Sequence, residues 1–178
     1  MEDTLFFYSK SADKPAGKGS NEYVANPQDY DELNSIKDWR KILSNFYYAP
    51  FVYDGRTYNT AEHAFQSAKI RLVDPIKANW FTVESGHPIG QGDGLVARQN
   101  RKLVVLDGIK LSQWNNIKYE ELYHILLAKF YQVALAKKVL LATGKAVLLH
   151  RASRTGPIER QHQLEKVRAT LSKISKKK

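Results

Sequence analysis

The chain has no cysteine among its 178 residues, which excludes disulfides and every zinc site built on thiolates. No apolar run approaches the roughly 20 residues that a membrane-spanning helix needs. The opening Met1-Glu2-Asp3-Thr4 lacks the basic stretch of a secretory leader. A cytoplasmic protein with no membrane partner is therefore expected. The five histidines include no H-x-x-x-H or H-E-x-x-H pair, so no metal site is expected, nor any cofactor. Acidic residues are the scarcer sign: 18 Asp and Glu stand against 28 Lys and Arg, for a net charge of +10. That balance favours an anionic partner, either a phosphate ester or nucleic acid. Part of the excess is local, because Lys173, Lys176, Lys177 and Lys178 form a basic C-terminal tail over 173–178.

Against these absences, 43% of the residues are hydrophobic and 11% aromatic, ample for a packed core in one domain over 1–178. Thr4 to Tyr8 reads as a short buried strand, and 10–26 as a polar loop insertion. Its Ala16-Gly17-Lys18-Gly19-Ser20 resembles a phosphate loop but lacks the required spacing. Apolar spacing predicts a helix from Tyr30 to Leu43. Phe51-Val52-Tyr53, Asp54-Gly55 and Arg56-Thr57-Tyr58 predict a hairpin with a type I′ turn, which needs positive φ at both central residues. Asp74-Pro75 opens another helix. Gly90-x-Gly92-x-Gly94 is not a dinucleotide fingerprint, since no strand leads into it. Helices follow at Tyr119 to Tyr131 and Val133 to Ala142, the latter closed by Gly144 at the position after its C-cap. A strand over Ala146 to Leu149 and a helix over Glu159 to Ile174 complete the chain. The expected fold class is α+β, predominantly helical, with a small sheet.

One segment carries the most chemistry. Asn59 or Thr60 can cap a helix that places Glu62 in its first turn. Glu62, Gln66 and Lys69 then share a stripe at i, i+4 and i+7, while Ala61, Phe65, Ala68 and Leu72 form a neighbouring apolar stripe. A carboxylate, an amide and an ammonium thus stand in a row on one support. Such a row suits an active site and equally suits a solvated helix face. Arg98, Arg101 and Lys102 follow the glycine-rich segment, where guanidinium groups match phosphate oxygens.

Asn45-Phe46, Gly55-x-x-Tyr58, Glu62-His63, Gln66 and Lys69 resemble the hallmark run of the NADAR, or YbiA-like, family. Trp114, Lys129-Phe130 and Leu140-Leu141-Ala142-Thr143-Gly144 extend the resemblance, as does Phe7-Tyr8-Ser9. The resemblance implies a single compact YbiA-like domain and N-glycosidase chemistry. It implies as substrate a phosphorylated ribosylamino-pyrimidine, of the kind met among riboflavin intermediates, or a base carrying ADP-ribose. His150 to Glu159 departs from the family pattern, which carries an acidic residue and then an aromatic-glycine pair there. His150, Arg151 or Arg154 stands where the binding role of that acid would fall.

Cleaving a C1–N bond builds positive charge on the sugar, which calls for a nearby anion and a held water. Glu62 is the candidate catalytic base and oxocarbenium stabiliser. Lys69 is expected to help keep it ionised. Asn45 is expected to bind a ribose hydroxyl or the base, Phe46 and Trp114 to stack, and Gln66 to hold the sugar or the water. Arg98 and Lys129 are candidate phosphate ligands, and His63 a supporting member of the substrate site. A hydrolase that needs no metal is one reading. The other is a non-catalytic module that binds a nucleotide or nucleic acid through the same basic and aromatic groups.

Overall fold

The computed structural model describes residues 1–177, and these fall into two compact units. The fold is α+β and predominantly helical, as expected. The first unit comprises 1–44 and 134–178. Here β1 (Thr4–Phe7) pairs in parallel with β4 (Val147–Arg151), with Leu5 opposite Leu148. β4 in turn pairs antiparallel with β5 (Ile158–Arg160). Alternate residues of β1 are buried, Leu5 and Phe7, as the two-residue strand period requires. Helix α8 (Ala134–Ala142) ends at Gly144, whose φ of +62° gives the left-handed cap that glycine adopts without strain. Helix α9 (His162–Lys176) buries Leu164, Val167 and Leu171. Lys177 follows it; Lys178, the last residue of the expected basic tail, lies outside the described residues.

Two expectations in this unit are corrected. The helix expected over Tyr30 to Leu43 is broken into a 3-10 turn (Pro27–Tyr30), α1 (Asp31–Asn34) and α2 (Trp39–Leu43). Asp38 lies between them at φ +58°, a left-handed conformation that a right-handed helix cannot pass through but Asp tolerates. The break allows Trp39 and Arg40 both to be buried, at 1% and 2% exposure. The helix expected from Glu159 begins only at His162, because Ile158–Arg160 forms strand β5.

Segment 10–26 is a loop, organised by one carboxylate. Glu22 accepts hydrogen bonds from the backbone N–H groups of Phe6, Gly17 and Gly19, and pairs with Arg40. Arg40 also donates to the carbonyls of Phe6, Lys14 and Pro15. The glycine loop that resembles a phosphate cradle thus wraps the chain's own anion.

The second unit comprises 45–133. Strands β2 (Phe51–Tyr53) and β3 (Arg56–Tyr58) form the expected hairpin, with Asp54 and Gly55 at φ +50° and +73°. Helix α3 (Ala61–Arg71) packs against α4 (Pro75–Asn79), α6 (Gly94–Gln99) and α7 (Gly108–Gln132); α5 (Pro88–Gln91) precedes α6. Helix α7 starts eleven residues before the expected Tyr119. Asp107 caps it by accepting from Lys110 N at 2.8 Å, and its first turns expose Ile109 and Leu111, so they carry no amphipathic period. At its other end the Gln132 amide pairs with both backbone groups of Val52, at 2.8 and 2.7 Å, and so continues the hairpin like a third strand.

Helix α3 also departs from expectation. Its buried positions are Ala61, Glu62, His63, Ala64, Gln66, Ser67 and Ile70, while Phe65, Ala68 and Leu72 are only half-buried. Three helices cover α3, so its polar stripe lies deeper than its apolar one. Ser67 fits this interior by donating to Ala78 O at 2.9 Å and accepting from the Tyr58 hydroxyl at 3.2 Å.

Candidate functional site

All nine sequence-predicted site residues belong to the second unit. The hairpin delivers the chain to Asn59 and Thr60. Thr60 caps α3: its hydroxyl oxygen accepts from His63 N at 3.1 Å. One helical turn leaves its first N–H groups without helical partners. Glu62 N finds one outside the helix, donating to Asn45 O at 3.1 Å. Asn45 is therefore fixed beside the first turn of α3.

Phe46 is held from the other side. A Cβ at Gly94 would lie 2.6 Å from Phe46 Cα, so only glycine lets the start of α6 approach this closely. The same helix carries Arg98 one turn later. Gly90 is equally constrained, since a Cβ there would lie 2.0 Å from Thr82 O. Asn59 fastens this segment to the hairpin by donating to Gly90 O at 3.0 Å and Gly92 O at 3.3 Å. Gly90 and Gly94 thus serve close backbone packing.

Glu62 is 5% exposed, and its Oε1 accepts from Gln66 Nε2 at 2.9 Å. Burial pushes its carboxyl above the ordinary value; the Gln66 hydrogen bond and the charges of Arg98, Lys69 and Arg101 pull the other way without reversing the shift. Lys69 favours the ionised form of Glu62, as expected, but does not outweigh burial. Lys69 Nζ donates to Arg101 O at 2.9 Å, and burial lowers its own pKa. Lys69 braces the turn after α6. Arg101 tightens that turn by donating from Nη1 to Arg98 O at 3.0 Å. The half-buried Arg98 guanidinium donates to no other described residue, and its charge acts on Glu62 ahead of the other two cations.

His63 takes the supporting place and props the first turn of α3. It is fully buried, and both ring nitrogens are engaged by protein. The Ile89 carbonyl, 2.8 Å from Nε2, can only accept, so Nε2 carries the proton; Nδ1 accepts from the Thr60 hydroxyl at 2.8 Å. Burial lowers its pKa, which keeps the ring neutral near pH 7. Trp114 is also drawn inward. It is 5% exposed and packs on Phe65 with ring centroids 5.1 Å apart, joining α7 to α3.

Lys129 is fully buried, with Nζ 4.8 Å from the Phe130 ring centroid and 5.9 Å from that of Tyr47, next to Phe46 in sequence. Burial drops its pKa to about 7. Its ammonium does not reach solvent along the surface. Among the described residues no set of three or more His, Asp or Glu side chains gathers to hold a metal.

Sequence reasoning brought together Asn45, Phe46, Glu62, Gln66, Lys69 and Arg98. It took Asn59 only as an alternative cap for α3, and it placed Arg101 only as a possible phosphate ligand. Asn59 acts on residues 31 and 33 positions away, a separation that leaves no local pattern. The charge excess reaches well beyond the basic tail over 173–178. Residues 134–178 hold twelve Lys and Arg against two acids, and so the whole excess of +10, whereas 1–133 hold sixteen of each sign.

A family model described as the NADAR domain matches residues 33–155. Among solved structures the chain is similar to the NMR structure of the E. coli protein YbiA. The identity is 22% and the TM-score 0.58, with 98% of this chain and 89% of that chain covered. At that identity the likeness establishes the fold. No curated protein matches the chain.

Proposed function

Because the chain belongs to the NADAR family, we propose that it hydrolyses an N-glycosidic bond, with Glu62 as the base. The observation that carries this reading is the carboxyl itself: 5% exposed, hydrogen-bonded to one amide, and ringed by Arg98, Lys69 and Arg101. A buried acid with a raised pKa takes up a proton more readily than a solvated one, as a base must. As the C1–N bond breaks, its electron pair leaves with the base, and the sugar becomes cation-like. Ionised Glu62 steadies that charge and accepts a proton from the water that bonds to C1. Asn45 and Phe46 line the approach, and Arg98 takes a phosphate of the substrate.

The substrate class is a phosphorylated ribosylamino-pyrimidine or an ADP-ribosylated base. If the base belongs to nucleic acid, the net charge of +10 favours its anionic backbone. Lys166, Lys173, Lys176 and Lys177 are exposed and project from one side of α9, opposite Leu164, Val167 and Leu171. Binding would then weaken steeply with salt.

A second reading is favoured by Lys129. A buried amine with a pKa of about 7 is substantially neutral at working pH, as a nucleophile requires. It would attack C1 as the base leaves, and water would later release the opened sugar from the resulting imine. Borohydride trapping of a covalent sugar adduct, lost in Lys129→Met, distinguishes this route.

The test is release of free base from 5-phosphoribosylamino-pyrimidine and from an ADP-ribosylated oligonucleotide, followed by chromatography. Wild-type protein should release base, and Glu62→Gln should be slower by about 10²–10⁴-fold. A normally folded Glu62→Gln protein at full rate rejects the role of Glu62. Tight binding without release supports a non-catalytic reader instead.

A further inference from the structure

Gln66 holds a group that nothing in the protein satisfies. Its side chain is 5% exposed, and its Oε1 is buried without a hydrogen-bond partner among the described residues. The assignment of that atom follows from chemistry. An ionised carboxylate can only accept, so the amide must turn its Nε2 toward Glu62 Oε1, 2.9 Å away. What remains is an acceptor, and a buried acceptor left empty is costly. Its partner must therefore be a donor brought from outside the protein. Glu62 keeps a second oxygen, Oε2, that accepts from no described residue. Two acceptors on adjacent turns of one helix face, i and i+4, thus lack donors.

Water has two O–H bonds. We propose that Gln66 is a positioning residue that, together with Glu62, holds both hydrogens of the attacking water and so directs its lone pair at the sugar carbon. This inference rests on the hydrolytic reading above. In the step, one O–H proton passes to Glu62 and the oxygen bonds to C1. The C1–N electron pair departs with the base, whose nitrogen takes up the proton that Glu62 received, and the second hydrogen stays on the new hydroxyl, held by Gln66 Oε1 throughout. The arrangement also couples the two side chains. Once Glu62 is protonated it can donate to Gln66 Oε1, so the amide keeps its acceptor free for water only while Glu62 is charged.

Methanol tests this directly, because it offers one O–H where water offers two. Wild-type protein turning over 5-phosphoribosylamino-pyrimidine in dilute methanol should form little methyl riboside 5-phosphate relative to ribose 5-phosphate. Gln66→Met keeps the length of the side chain and removes the acceptor. It should lower kcat by about 10²-fold while KM stays within about twofold. The share of methyl riboside 5-phosphate should rise by about tenfold, since the orphaned acceptor no longer penalises methanol. The product ratio does not depend on how much of the variant is folded, because unfolded chains form neither product. Turnover that depends on Glu62, with an unchanged product ratio in Gln66→Met, overturns this inference alone. Undiminished turnover in Glu62→Gln overturns the hydrolytic reading and this inference with it.

Discussion

Glu22 and Glu62 are both carboxylates withdrawn from solvent, one in each unit, and their surroundings differ in kind. The Glu22 side chain is fully buried and receives three backbone N–H groups in addition to the Arg40 guanidinium. Its charge is paired and its lone pairs are used, and the result is a fixed loop. Glu62 receives one amide, while its three cations act from farther away. Burial therefore dominates its titration, and the neighbouring Gln66 oxygen is left without a donor. Saturation marks a carboxylate that holds structure; a deficit marks one reserved for a ligand.

The largest expected effect breaks the saturated site. Glu22→Ala leaves Arg40 buried without its counter-charge, and should lower stability by about 3–5 kcal/mol in denaturant unfolding. The rate per folded molecule should not change. Loss of rate at unchanged stability would erase the contrast.

Lys129 comes next, because it is buried at 0% exposure. Its folded pKa is about 7, against roughly 10.4 in the unfolded chain. The unfolded state therefore binds more protons between these values. The contribution of Lys129 to stability is fully present above the unfolded value and is lost as pH falls toward 7. Lys129→Met should accordingly be more stable than wild type at pH 6, with the gap closing as pH rises toward 10. Melting temperatures measured across that range check the sign, and a gap that widens with pH would contradict it.

Arg98→Ala should raise KM for a phosphorylated substrate by about tenfold to a hundredfold, the worth of a charge-assisted hydrogen bond. Its effect on the dephosphorylated analogue should be slight. Equal effects on both would remove Arg98 from the phosphate. The smallest change sharpens the comparison with Glu22. A raised Glu62 pKa means that its stabilising contribution is complete below the unfolded value and lost as pH rises through the folded one. Glu62→Gln should therefore be slightly more stable than wild type at pH 8 and no more stable at pH 4.

Much of this was legible in the chain. The Asp54-Gly55 turn, the Thr60 cap and Gly144 rest on local backbone chemistry, and each stands where local rules place it. The Glu62–Gln66 pair was legible because i, i+4 spacing is a property of one helix. The break at Asp38 was not, since the reward for it is Arg40 reaching a partner 18 residues earlier. Nor was the deep face of α3, because periodicity reads polar residues as outward. Here three packed helices cover them. The partner of His63 Nε2, Ile89, was not legible either, since it is 26 residues away.

The central claim is that the Glu62 carboxyl, lifted by burial, does the chemistry. The most direct measurement is the pH dependence of kcat/KM for base release from 5-phosphoribosylamino-pyrimidine, in wild type and in Glu62→Gln. The account predicts an acid limb in wild type whose midpoint lies above the ordinary glutamate value of about 4.3, and its disappearance in the slow variant. A midpoint at or below that value, or the same limb persisting in Glu62→Gln, would contradict it.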